Sequence, residues 1–262
     1  MPVSNDVDRD GAVGSDAPED GLPINELFHS LQGEGKLAGT PSVFVRTSGC
    51  NLRCWFCDSY HTSWEPQHAW LSIEEIVDEV ESYGADHVVL TGGEPLMHEE
   101  SVDLLEALDD RGYHTTVETN ATIHRDAPID LVSASPKLAS STPDPGVERP
   151  DGKPVDEEWA ERHEANRLDV DVLARFVEDH DTQLKFVVTD ESDLTEIESL
   201  LAEVRAAADT GLSDDDVLLM PEGATRERLA QTRERVADLA IAYGYRYTPR
   251  LHVDLWNDAP ET

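Results

Sequence analysis

Cys50, Cys54 and Cys57 are the only thiols in the chain, and they stand at C-x3-C-x2-C spacing. Thiolates are the ligands that iron–sulfur clusters prefer. Three of them leave one iron of a cubane without a protein ligand, and a small molecule bearing an amine and a carboxylate can chelate that iron. His61 follows Cys57 at C-x3-H spacing, which could instead close a Cys3His zinc site. The cysteines alone leave both readings open. An odd number of thiols packed this tightly is not a disulfide framework and points to a metal site in a reducing compartment. Downstream runs Thr91-Gly92-Gly93-Glu94-Pro95. Its two glycines let backbone approach a ligand closely, and Glu94 offers an acceptor beside them.

Both motifs sit at the ends of predicted strands. Residues 42–47 read as a buried strand leading to Gly49 and the cysteines, and residues 87–91 as the strand before the glycine turn. Further strands are expected at 114–118, 130–133, 183–188 and 217–220, with an extended segment at 245–255. Helical spacing runs through 73–83, 99–111, 165–178, 194–208 and 225–243, and Ser72 with Glu75 makes a capping box for the first. Strands alternating with helices imply βαβ units and a parallel sheet. Six such strands are too few for a closed eight-stranded barrel, so the expected fold is α/β, an open partial (β/α)6-type barrel. Residues 1–22 carry six acids and one Arg with almost no apolar pattern, and read as a disordered acidic tail ahead of one domain over 23–262. Residues 139–160 are rich in Pro, Gly, Ser and acid and read as a surface excursion.

Length and charge bound the function. The 262 residues, 39% apolar and 6% aromatic, can form one substantial α/β domain. No apolar run spans a membrane and no signal peptide is visible, so a cytoplasmic location is expected. Net charge is −36, from 20 Lys+Arg against 56 Asp+Glu. The acids are spread along the chain, in runs such as 214–216 and 157–161, and read as solvated faces rather than as a docking site for one basic partner. Only four lysines occur: Lys36, Lys137, Lys153 and Lys185. Such a surface fits a salt-rich cytoplasm, where screening tames self-repulsion, and points to a halophilic source. It repels nucleic acid, so direct binding of tRNA or DNA is not expected.

The cysteine motif after a strand resembles that of the radical SAM superfamily, in which S-adenosylmethionine chelates the open iron of a [4Fe–4S] cluster. Phe56, before the last cysteine, matches the aromatic that packs on adenine there. The GGEP turn resembles the one that contacts the methionine amine. More of the chain, roughly residues 23–256, resembles one branch, 7-carboxy-7-deazaguanine synthase. The matching pieces are LQGEG at 31–35, Arg46, CDS at 57–59, ETN at 118–120, SPK at 135–137 and LKFVV at 184–188. The resemblance implies conversion of 6-carboxy-5,6,7,8-tetrahydropterin to 7-carboxy-7-deazaguanine with loss of ammonia, a step toward archaeosine or queuosine. It also implies an external electron donor such as flavodoxin or ferredoxin. A homodimer is a further expectation that nothing in the residues decides. Another radical SAM enzyme, such as a glycyl-radical activase, remains an alternative, as does a zinc-stabilised binding module.

By matched position, Leu31, Gln32 and Gly33 resemble the pterin-binding stretch. Arg46 is expected on the substrate carboxylate, where its planar fork suits two oxygens, with an internal Asp or Glu as the competing partner. Thr91 resembles a substrate contact. Phe56, Cys57, Asp58, Gly93, Glu118, Asn120, Ser135, Pro136 and Lys137 resemble cofactor contacts, and the turn of Met220, Pro221, Glu222 and Gly223 is expected to close over the same cofactor. The family holds Mg²⁺ on a Thr hydroxyl, and here the matching residue is Ser59, which keeps the hydroxyl. In some members a terminal carboxylate reaches the substrate. This chain runs on through residues 257–262, so that role is not carried over.

Overall fold

Alternation along the strands sorts this chain's side chains into two populations, one facing helices and one facing the hollow of a curved sheet. The computed structural model describes residues 20–146, 154–257 and 259. In chain order the elements are β1 (Gly21–Leu31), β2 (Pro41–Thr47), α1 (Tyr60–Ser63), β3 (Ala69–Ser72), α2 (Ile73–Tyr83) and β4 (His87–Gly92). Then come α3 (Glu100–Asp109), β5 (His114–Thr119), β6 (Leu131–Ala134), α4 (Glu157–Asn166), α5 (Val170–Asp179) and β7 (Thr182–Val188). The chain closes with α6 (Asp193–Ala207), β8 (Val217–Pro221), α7 (Arg226–Tyr243), β9 (Arg246–Tyr247) and α8 (Leu251–Trp256). They form one nine-stranded sheet in the order β3-β1-β2-β4-β5-β6-β7-β8-β9. From β2 through β9 every pairing is parallel, while β1 runs antiparallel to both β2 and β3. β3 and β9 are its two edges, so the sheet is open.

The six parallel strands expected from the sequence, β2 and β4 through β8, are the middle of this sheet. Their outward residues, such as Val43 and Val45, Val88 and Leu90, and Leu184, Phe186 and Val188, join the helices in one buried apolar core. Their inward residues are polar in layers. At the floor, buried His87 lies between Ser42 Oγ (2.7 Å) and Thr116 Oγ1 (2.8 Å). Nearer the carboxyl ends, Arg46, Thr91, Glu118 and Lys185 share the inward face. The capping box predicted for α2 is formed by Ser72 and Glu75.

Several expectations need correction. Of the tail expected over 1–22, residues 1–19 lie outside the described residues, whereas Gly21 and Leu22 are buried and open β1. That strand escapes the sequence pattern because its register shifts between Ile24 and Glu26, which breaks the two-residue alternation. Residues 147–153 of the expected excursion lie outside the described residues. Its flanks are packed rather than loose: Ser141 is buried and residues 157–160 begin α4. The helix expected over 165–178 is two, because Asp169 caps a new start at Val170 by accepting from Val172 N–H. The extended segment expected over 245–255 contracts to the two-residue β9, and α8 follows. Among the described residues, no helix is long and apolar enough to cross a membrane.

Candidate active site

The carboxyl ends of parallel strands point their loops to one side of a sheet, and ligands collect there. Here those ends surround a cavity of about 440 Å³. Every site residue singled out from the sequence lines it, apart from Glu94, Pro136 and Pro221. Those two prolines sit in the cofactor-matching turns without facing the cavity.

One pole of the cavity is the cysteine loop. Cys50, Cys54 and Cys57 all line it, with Phe56 beside them. The glycine turn is built to lie against this loop. A Cβ on Gly93 would stand 2.1 Å from Gly49 O, and one on Gly92, at φ +147, 2.3 Å from Thr47 O. The glycines are thus demanded by close backbone packing between the β2 and β4 ends. Glu94 departs from expectation. It is fully buried and does not line the cavity; its carboxylate accepts from Leu96 N–H, Thr119 Oγ1 and Asn120 N–H, tying the β4 turn to the end of β5. Burial pushes its carboxyl up to about 7, against those hydrogen bonds. Asn120 likewise braces the loop by donating to Asn51 Oδ1 at 2.8 Å.

Burial pushes the Cys50 thiol up to about 12 and raises Cys54 and Cys57 as well. Bound iron displaces such protons, and three soft donors facing one cavity fit an iron–sulfur cluster. Among the described residues, no group of three or more His, Cys, Asp or Glu side chains is arranged to hold a single metal ion. A cubane takes one thiolate per iron, so its ligands stand apart rather than converging.

A second pole of the cavity is ionic, and it meets the cysteine loop at Asp58. Lys185, 3% exposed, donates to Glu34 Oε2 at 2.6 Å and to Glu118 Oε2 at 2.8 Å. Arg250, also buried, donates to Glu34 Oε1 at 3.0 Å, to Gly223 O at 2.7 Å and to Asp58. Burial alone would raise the Glu34 carboxyl, but Lys185 and Arg250 hold it well below the usual carboxylate range. Arg250 opposes burial at Asp58 in the same way and brings it down to about 2. Gln32 Nε2 donates to the free oxygen of Glu118 at 3.3 Å. Gly33 leaves room for His252, whose Nδ1 lies 1.9 Å from where a Cβ would be.

Arg46 stands between the poles. Its Nε lies 2.9 Å from Glu26 Oε2, its register partner across the β1–β2 ladder, but the N–H is not aimed along a hydrogen bond. Its Nη1 donates to Ser59 Oγ at 2.8 Å. Ser59 in turn donates to Asp58 Oδ1 at 3.2 Å, which leaves one hydroxyl lone pair for a ligand. That fits Mg²⁺ held through one protein oxygen, with substrate and water supplying the rest. Lys137 Nζ donates to Ser135 Oγ at 2.7 Å.

The sequence reading missed Glu26, Phe44, Arg250 and His252 as site residues, and it met Glu34 only inside the LQGEG match and Lys185 only inside the LKFVV match. The scarcity of lysine was a usable signal for Lys185. Arg250 and His252 precede and open a six-residue helix without a side-chain cap, and no local pattern marks them. Residues 257 and 259 also line the cavity, so the C-terminal segment reaches the site.

Residues 44–148 match the radical SAM superfamily. The chain is 68% identical over 263 residues to a 7-carboxy-7-deazaguanine synthase of Halobacterium salinarum, covering 100% of both chains. It is 40% identical over 254 residues to one of Rhodopirellula baltica, covering 97% of this chain and 93% of the relative. In fold it resembles the crystal structure of QueE from Escherichia coli, at a TM-score of 0.57 and 24% identity, over 89% of this chain and 98% of that one. A three-thiol loop at the carboxyl ends of an open parallel sheet, together with full-length relatives at this identity, places the chain in the 7-carboxy-7-deazaguanine synthase family of radical SAM enzymes.

Proposed function

We propose that this chain converts 6-carboxy-5,6,7,8-tetrahydropterin to 7-carboxy-7-deazaguanine with release of ammonia, using a [4Fe–4S] cluster, S-adenosylmethionine and Mg²⁺. The observation that carries the reading is a single cavity with three thiols at one pole and a buried ionic lattice at the other. A glycyl-radical activase has no use for that lattice, which suits a small, polar, charged heterocycle. Cys50, Cys54 and Cys57 hold the cluster, and Ser59 holds Mg²⁺. When bound and reduced by an external donor such as flavodoxin or ferredoxin, the cluster and S-adenosylmethionine supply a 5′-deoxyadenosyl radical.

The residues position and exclude water. Glu34, Glu118 and Gln32 present acceptors and a donor to the ring, and Lys185 holds both carboxylates in place by donating to each. Arg46 and Thr91 face the substrate from β2 and β4, with the free edge of the Arg46 fork available to a carboxylate. Phe56, Gly93, Ser135 and Lys137 line the cavity and receive S-adenosylmethionine, and Met220, Glu222 and Gly223 close over it from the end of β8. Incubation with reductant, S-adenosylmethionine, Mg²⁺ and the carboxypterin in high salt should release 7-carboxy-7-deazaguanine. High salt screens the self-repulsion of a chain at −36. An iron-loaded, folded protein that cleaves S-adenosylmethionine but leaves the pterin unchanged would sink the substrate assignment.

A further inference from the structure

The polar helix α4 has one buried residue, His163. Trp159 lies one turn earlier on the same face. What these two residues touch is the loop between the cysteines. The N–H of Arg53 donates to His163 Nδ1 at 3.0 Å, which leaves Nε2 as the protonated nitrogen. Nε2 stands 2.8 Å from Ser141 Oγ, and Ser141 Oγ donates to Leu138 O at 2.6 Å. The neighbouring carbonyls complete the grip: Ser141 O accepts from Trp55 N–H (3.2 Å) and Ser140 O from the Trp55 indole N–H (2.7 Å). The Arg53 guanidinium lies 4.1 Å from the Trp159 ring centroid and donates to Cys50 O at 2.6 Å and Leu52 O at 2.8 Å.

Two stretches flanking residues 147–153 thus close on the residues between Cys50 and Cys54 and on Trp55. Neither stretch lines the cavity. We propose that residues 138–141 and α4 form a clamp on the cluster loop, and that His163 is its positioning residue. The proposal rests on the cysteines holding the cluster. A loop of this kind has no ladder of its own, so its N–H groups need outside acceptors. His163 and Ser141 supply two, and removing one leaves a buried donor unsatisfied. The clamp keeps the spacing of Cys50 and Cys54 fixed, and with it the rate at which the loop can open and release iron.

The test is iron release from anaerobically reconstituted protein into excess chelator, with the electron paramagnetic resonance signal of the reduced cluster as a second readout. His163→Leu should load iron but release it roughly tenfold faster, the rate equivalent of one lost buried hydrogen bond. His163→Asn, whose amide oxygen can take the Nδ1 position, should restore slow release and the wild-type signal. Trp55→Phe removes only the indole donor from a half-exposed ring and should speed release several-fold, which keeps the test open should His163→Leu fail to fold. Wild-type release in His163→Leu, or in Trp55→Phe where that variant fails to fold, overturns the clamp. So does equal acceleration in the Leu and Asn variants with equal loss of thermal stability, which would make His163 a packing residue. A wild-type protein that takes up no iron overturns the cluster assignment and the clamp with it. Four irons per wild-type chain with unchanged release from the variants overturns the clamp alone.

Discussion

At the thiol pole, the loop of residues 50–57 is braced mainly by neutral groups: a histidine, serine carbonyls, asparagines, and an arginine spent on backbone oxygens. At the ionic pole, Arg250, Glu34, Lys185 and Glu118 alternate in sign and hold one another, and Arg250 ties them to Asp58 beside Cys57. The difference follows from what each end must hold. A cluster that changes charge in each cycle is best seated by hydrogen bonds that do not depend on a charged partner. A polar heterocycle with a carboxylate needs fixed donors and acceptors. Buried carboxylates keep their charge only beside buried cations. A single loss at the neutral pole removes one hydrogen bond, whereas at the ionic pole it leaves a buried charge without one of its partners.

Breaking the comparison outright takes the ligands themselves. Cys50→Ala, Cys54→Ala and Cys57→Ala should each lose the cluster and all activity, while His61→Ala keeps its iron; both are read by iron analysis after anaerobic purification. Retention of a full cluster in any of the three cysteine variants would remove that residue from the ligand set.

Lys185→Met should be the most damaging change at the ionic pole. It strands Glu118 and leaves Glu34 with Arg250 alone, at a cost of about 3–5 kcal/mol, the usual penalty for halving a buried pair. Chemical denaturation should show the loss, and Lys185→Met/Glu118→Gln should recover part of it. Equal stability of Lys185→Met and wild type would mean that the lattice is solvated in solution.

Arg46→Lys sharpens the comparison, since Arg46 spans both poles. It should lower kcat/KM for the pterin by about 1.5–3 kcal/mol in activation free energy, the range for a charged hydrogen bond. Cleavage of S-adenosylmethionine should fall less, because Lys keeps the charge but not the fork. Unfolding without any change in substrate use would reassign Arg46 to its ion pair with Glu26.

The smallest effect expected is at the neutral floor beneath both poles. Burial, then the neighbouring His114, push His87 down to about 4, against about 6.5 for a free histidine. The unfolded chain therefore binds more protons between those values. The contribution of His87 to stability is complete above about pH 6.5 and is lost as pH falls through about 4. Lowering the pH from 7 to 4.5 should cost wild type about 5 °C more in Tm than it costs His87→Gln. Parallel pH profiles would show that His87 is protonated in the folded state.

Much of the site was legible because its residues stand in contiguous motifs at strand ends. In a parallel sheet a strand end is already a site position. Cys50 to Ser59, Thr91 to Gly93 and Glu118 to Asn120 needed only the βαβ pattern to bring them to one side. Glu94 shows the limit of that logic. It belongs to a motif, yet its carboxylate turns inward to brace β5, because the glycine turn packs on Gly49 and carries Glu94 beneath it. The edges were illegible for other reasons: β1 carries a bulge, and β9 and α8 are too short to show a period.

The amino-acid sequence by itself determined the spacing of the three thiols, the order of the parallel strands' motifs and the acid-rich surface, since each is written in local spacing or in composition. Only the tertiary structure decided that Arg250, Lys185, Glu34 and Asp58 form one lattice and that His163 reaches the cysteine loop. Glu34 and Arg250 are 216 residues apart in the chain, and Arg53 and His163 are 110 apart. Such pairs are selected by which side chains the closing sheet leaves buried together, where an unmatched charge or donor costs too much to remain.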